Sequence, residues 1–411
     1  MHDDSCTDSE DESIKGELLD KTPRTRKKVK DDALKKKVDK LNPLATYFTL
    51  MKGFICTSIL YLPKSFINGG WGFSIICMTL SCLLTLNCGM LLLEVRSKVG
   101  ASSYTDIGRQ LYGTWGVVGV GIALACSQIG FTCAYIYFIT RNINNILLQA
   151  INVDVSVNVL AVGCFVLFSA LAYVRKIQIF ASTHLFADVI IVVTLIVVIG
   201  YAGQEMKDNG SALSSVDFMA QYTDAIGFSV YAFEGIGLIL PVQDITKKPE
   251  SYKTVVLCVF ATCAFLLIGF GQFCVIAWGD KLTTPLITDM LPDNAFCYIV
   301  KIFFCINLVF SQPLQLYPAH IIIENSIYAG WPKTKKRQMA KNVTRTLLVG
   351  FTVVFTMSLG EKVDKFLSIL GALTCTPIAF TFPALFHLKA CAKTRSEIVA
   401  DWFIIVLSLI I

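Results

Sequence analysis

The polar groups best placed to do chemistry in this chain lie inside apolar stretches, where each is costly. Glu234 stands directly before Gly235 in the run YAFEGIGLILP at 231–241, and His184 and Asp188 stand four residues apart in another apolar stretch, hence on one face of a helix. A carboxylate at membrane depth costs about 2.5–3.5 kcal/mol on insertion scales, so it needs a partner, a proton or a task. Glu234, Asp188 and His184 are therefore candidates for coupling to an ion, with a purely structural hydrogen bond as the plainer reading of Asp188. A second kind of chemistry resides in the backbone. Lys52-Gly53-Phe54-Ile55-Cys56-Thr57-Ser58 precedes Pro63, Gly235 precedes Pro241, and Leu60-Tyr61-Leu62-Pro63 is echoed by Leu238-Ile239-Leu240-Pro241. Small and hydroxylated residues upstream of a proline lower the cost of leaving the helix. Backbone groups freed in lipid are tolerated only where they line a cavity or meet a ligand, and the positive start of the following half-helix attracts a carboxylate. Glycines also let helices pack closely, which is the alternative for either segment alone.

Other chemistries find no support. Most of the fifteen cysteines fall in apolar stretches without a Cys-x-x-Cys, and the four histidines, His2, His184, His320 and His387, form no His-Glu-x-x-His. Neither a Gly-x-Ser-x-Gly elbow nor a P-loop is present. The reading is no metal, no cofactor and no enzyme.

The elements that must hold these groups are membrane helices. Of 411 residues, 54% are hydrophobic and 16% charged, and crossing a bilayer takes about 20 helical residues. Spans are expected at 46–67, 71–95, 116–146, 156–173, 179–202, 219–242, 254–278, 297–323, 343–360 and 365–388. An eleventh is expected from near Asp401; it would run only about 15 Å to Ile411, as a truncated span would. Basic residues gather on the loops of the N-terminal side: Arg96, Lys98, Arg109, Arg175, Lys176, Lys247, Lys248, Lys253, those between 333 and 345, Lys389, Lys393 and Arg395. The other face has Lys64, Arg141, Lys207, Lys281, Lys362 and Lys365. That bias predicts a cytosolic N-terminus, with the sequon Asn209-Gly210-Ser211 on the opposite face. It also accounts for most of the net charge of +6, which carries no indication of nucleic acid. The chain divides into a tail at 1–40 and a transmembrane domain at 41–411. The tail is acidic at 3–12 and basic at 21–40, a composition expected to be disordered and suited to contact with anionic lipid of the bilayer. The first span runs away from the tail and the sixth back toward it, so the two Leu-x-Leu-Pro motifs lie antiparallel, as an inverted repeat requires.

YAFEGIGLILP resembles the sixth-span signature of the amino acid/auxin permease family, nearest its proton-coupled amino-acid transporter branch. The likeness extends to Lys52-Gly53 with Thr57 and Leu62-Pro63, Gln128-Ile129-Gly130-Phe131 with Tyr135, Tyr317-Pro318-Ala319, Gly371-Ala372, and Phe382-Pro383-Ala384-Leu385. The resemblance implies an all-α polytopic membrane protein, a LeuT-type 5+5 inverted-repeat bundle of about eleven helices within the wider APC superfamily. It also implies a substrate carboxylate held by backbone at Thr57 and Ser58, carbonyls near Gly53 and Phe233 accepting the ammonium, and a lining from Gly235, Phe131, Tyr135, Asn307 and Ser311. The function implied is alternating-access transport of small neutral amino acids in the plasma membrane or the vacuolar or lysosomal membrane, coupled to H⁺ with Na⁺ as the alternative. An amino-acid sensor signalling through the tail is the second reading. Three positions depart from the branch: Thr49 stands where it has a histidine, Cys56-Thr57-Ser58 where it has Gly-Thr-Gly, and His320 where it has a glutamate. These bear on proton coupling and on side-chain preference.

Overall fold

The computed structural model of the protein describes residues 41–55, 58–101, 103–174, 183–328, 330–332 and 334–411, without the side chains of Lys52 and of residues 183–188. The expectations for the tail, for Thr57 and for the side chains of His184 and Asp188 lie outside the described residues.

Among the described residues every extended regular element is a helix. The chain enters at α1 (Pro43–Phe54), where the Asn42 side chain accepts from Ala45 N at 2.8 Å and Pro43 takes the first helical position. It continues through α2 (Ser58–Gly69), α3 (Trp71–Val99), α4 (Tyr104–Ile151), α5 (Val157–Ala172), α6 (Thr183–Asn209), α7 (Tyr222–Ala232) and α8 (Ile236–Asp244). Then come α9 (Tyr252–Trp278), α10 (Ala295–Tyr328), α11 (Lys335–Leu359), α12 (Val363–Leu370), α13 (Phe382–Ala390) and α14 (Arg395–Ile410). Seven stretches among the described residues are long and apolar enough to cross a membrane. The one at Lys335–Ala390 holds two spans, because Gly360 turns the chain with a φ of 54°.

Three expectations change. The third span is longer than 116–146: α4 begins at Tyr104 and bends at Gly113, φ 63° and ψ −139°, so a tail-side helical segment precedes the membrane part. The tenth span is not one regular helix, since π turns at Gly371–Cys375 and Pro377–Thr381 separate α12 from α13. The eleventh span begins at Arg395 rather than near Asp401, because Thr394 and Glu397 form a capping box.

The second span packs on the seventh, the third on the eighth and the fourth on the ninth, each with the span five places on. The broken first and sixth spans cross-pair. On the tail side α1 lies beside α8, with Leu41 N bonded to Ile245 O at 2.7 Å and Lys247 N to Leu41 O at 2.8 Å. On the far side α2 lies beside α7, with Gln221 N bonded to Asn68 O at 2.9 Å. The two halves are thus inverted about the breaks.

Candidate substrate site

Both breaks follow one rule. α2 starts at Ser58 and reaches Pro63, and α8 starts at Ile236 and reaches Pro241, so proline is the sixth residue of each second half-helix. Proline brings no N–H to the carbonyl four residues before it, which leaves Ile59 and Gly237 without that intrahelical bond just past each break. Upstream, α1 ends at Phe54 and α7 at Ala232, with Phe233, Glu234 and Gly235 between α7 and α8. The amides opening α2 and α8 and the carbonyls closing α1 and α7 are therefore left without intrahelical partners at the two breaks.

The glycines of the two breaks receive side chains from one another. A Cβ on Gly53 would lie 2.2 Å from Leu238 Cδ1, and one on Gly235 would lie 2.7 Å from the Phe54 ring. Close packing thus accounts for both, in addition to any role toward a ligand. Glu234 is half-buried in the sixth-span break, and among the described residues its carboxylate takes part in no hydrogen bond or ion pair.

Aromatic residues of α4 and α7 flank the break. Phe131 stacks on Tyr231 with centroids 5.0 Å apart at 26°, next to Phe233, and Tyr61 donates to Ala134 O at 2.7 Å. Tyr135 donates to Gln315 Oε1 at 3.4 Å, and Gln315 Nε2 donates to Gln128 Oε1 at 2.6 Å, joining α4 to α10. Ser58 is buried at the start of α2. Ser311 donates to Asn307 Oδ1 at 3.1 Å along α10, one turn from Gln315. The structure therefore brings Gly53, Phe233, Glu234 and Gly235 together at the breaks with Phe131 stacked on Tyr231 beside them, whereas Tyr135 belongs to a polar seam between α4 and α10 and Asn307 and Ser311 bond to one another along α10.

Sequence reasoning missed Gln312. It is fully buried on α10, and among the described residues neither its Oε1 nor its Nε2 has a hydrogen-bond partner. The available signal was a set of amide side chains, Gln128, Gln312 and Gln315, in stretches that are otherwise apolar.

Charged groups brace both faces. On the tail side Arg96 donates to Leu240 O and to Gln243 Oε1 and pairs with Asp244, which steadies the negative end of α8. Glu324 is held by Arg345 at 2.6 Å and Lys341 at 2.7 Å, and Arg345 also donates to Ala172 O, joining the eighth, ninth and fourth spans. His320, one turn before Glu324, is buried, and its Nε2 has no hydrogen-bond partner among the described residues. On the far face Asn68 donates to Asp364 at 2.8 Å, and Arg141 sits between Asp289 at 3.7 Å and Glu361 at 3.6 Å beside a cavity of about 210 Å³.

Residues 39–411 match the family model described as transmembrane amino acid transporter protein. The chain belongs to this family. Vacuolar amino acid transporter 3 of Saccharomyces cerevisiae is 31% identical to it over 87% of this chain and 53% of that protein. Vacuolar amino acid transporter 4 of the same yeast is 30% identical over 85% and 53%, so the chain spans about half the length of these relatives. Amino acid transporter AVT3B of Arabidopsis thaliana is 28% identical, over 84% of each protein. Among solved structures, Mhp1, a nucleobase-cation-symport-1 family transporter in a closed conformation with bromovinylhydantoin bound, superposes with a TM-score of 0.56. It is 13% identical over 90% of each chain. That likeness is one of fold, a polytopic LeuT-type bundle, and it agrees with the cross-paired broken helices of this family member.

Proposed function

We propose that the protein is a secondary transporter of small neutral amino acids that works by alternating access and is driven by H⁺. The observation that carries this reading is the packing of two antiparallel broken helices across their breaks, Gly53 against Leu238 and Gly235 against Phe54, with the carboxylate of Glu234, unpartnered among the described residues, in one of them. Amides opening α2 at Ser58 receive the substrate carboxylate, and carbonyls near Gly53 and Phe233 receive its ammonium. Gly235 leaves room for the approach, and Phe131 closes the pocket from α4, with Tyr135, Asn307 and Ser311 along the seam behind it. Glu234 exchanges the coupling proton. The names of the yeast relatives support an acidic-compartment membrane such as the vacuole, and the distribution of basic residues supports a cytosolic tail. Uptake of labelled neutral amino acids into proteoliposomes, with and without an imposed pH gradient, tests it. Gradient-stimulated uptake is expected; saturable binding with no flux under any H⁺ or Na⁺ gradient would replace transport by sensing.

A further inference from the structure

At the tail-side ends of the second, tenth and eleventh spans lies a cluster that transport does not use. Glu94 of α3, His387 of α13 and Cys391, just beyond α13, each offer a ligand atom, and these atoms all lie within 4.8 Å of one another. Cys391 N bonds to His387 O at 2.7 Å, which keeps the two side chains on one face of the helix end. Asp401 of α14 sits 2.8 Å from His387 Nδ1, leaving Nε2 to face Glu94 Oε2 at 3.8 Å. A carboxylate on one ring nitrogen of a histidine fixes the tautomer and frees the other nitrogen's lone pair for a metal. His387, Asp401 and Cys391 are buried, while the Glu94 side chain is 57% exposed and leaves a path to solvent.

We propose that Glu94, His387 and Cys391 bind a divalent cation of borderline softness, with Zn²⁺ the best match, and that Asp401 orients His387 for it. One oxygen, one imidazole nitrogen and one thiolate are the donor types Zn²⁺ takes, and bonds of about 2.0–2.3 Å in a tetrahedron put ligand atoms about 3.4–3.6 Å apart. The His387–Glu94 separation of 3.8 Å is near that already, and Cys391 Sγ lies within 4.8 Å of both, so side-chain rotation of Glu94 and of the Cys391 thiol seats the ion. Water supplies the fourth position. The cation ties the tail-side ends of the second and tenth spans, and Asp401 links the eleventh to them through His387. His387 and Cys391 stand four residues apart, but Glu94 comes from a separate helix, so no complete sequence motif announces the site.

The full chain, purified in detergent and stripped with a chelator, is titrated with Zn²⁺ and separately with Co²⁺. The expected result is one saturable Zn²⁺ per chain and, with Co²⁺, a sulfur-to-metal charge-transfer band. Cys391→Ser abolishes that band and weakens Zn²⁺ binding at least tenfold, Glu94→Gln weakens it similarly, and Asp401→Asn weakens it about 10–100-fold. Asp401→Asn disturbs a buried pair; if that variant does not fold, the exposed Glu94→Gln and the near-isosteric Cys391→Ser decide. The proposal is overturned if the intact chain binds no saturable Zn²⁺. It is equally overturned if binding is unchanged in both Cys391→Ser and Glu94→Gln, which would place the ion elsewhere, the tail's His2 and Cys6 included.

Discussion

A carboxylate between two half-helices, bonded to nothing among the described residues, is the group whose charge a proton gradient can most directly change. Glu234→Gln keeps the shape and removes the titration. The expected outcome is uptake that no longer responds to an imposed pH gradient while protein yield and melting temperature stay near wild type. Retained pH stimulation in the Gln variant would exclude Glu234 as the coupling group. Gly235 has two roles to separate, because its missing Cβ makes room both for a ligand's approach and for the Phe54 ring. Gly235→Ala should lower uptake at least about tenfold, the loss expected when a geometry held by close contact shifts by an ångström or so. Adding Phe54→Leu removes the ring contact; uptake restored in the double variant would make Gly235 a packing residue alone. Glu234 was legible from its type and place in an apolar run. Gln312 was not, since a neutral amide among hydrophobic residues carries a weaker signal than a charge, and its isolation is a property of packing.

The elements were legible wherever hydrophobic length alone decides them, and were misread wherever backbone geometry decides them. The capping box at Thr394 and Glu397 starts α14 before its apolar stretch begins, and the π turns of the tenth span leave no mark on hydropathy. Those turns bring Gly371 against the sixth span: a Cβ there would stand 1.9 Å from Gly227 O, whereas one on Gly269 meets nothing within 4 Å. Gly371→Ala should therefore destabilise the protein by about 1–3 kcal/mol as overpacking does, and Gly269→Ala should leave it within error, as read from thermal unfolding in detergent. Equal behaviour of the two would contradict the close sixth–tenth contact. The buried Arg345–Glu324 pair allows a parallel comparison. Arg345→Ala leaves the buried Glu324 carboxylate to Lys341 alone and frees Ala172 O, at a cost below the about 3–5 kcal/mol of a fully unpaired buried charge. Lys341→Ala removes a more exposed partner and should cost visibly less.

On the scale of the whole molecule, the paired Leu-x-Leu-Pro motifs already implied two halves of opposite orientation. The sequence did not carry the cross-pairing of α1 with α8 and α2 with α7, because such pairing is set by long-range contact. That pairing also fixes where the tail can be cut. Leu41 is bonded on both sides to the end of α8, through Ile245 O and Lys247 N, and Asn42 caps α1, so a cut beyond Leu41 removes bonds that hold the broken helices. Both broken spans lie beyond that point, and a transporter needs nothing upstream of it for flux, whereas a sensor must pass its ligand state to a partner and has its longest tail-side segment at 1–40. Removing residues 1–38 should leave flux per inserted molecule within about twofold of the intact chain, a change worth only ~0.4 kcal/mol. Removing residues 1–42 strips the α8 contacts and the α1 cap and should cut flux severely. The measurement is initial uptake in proteoliposomes divided by the amount of inserted protein. If the shorter deletion abolishes flux while substrate binding persists, the tail is part of the working mechanism and the bundle is not a self-sufficient transporter.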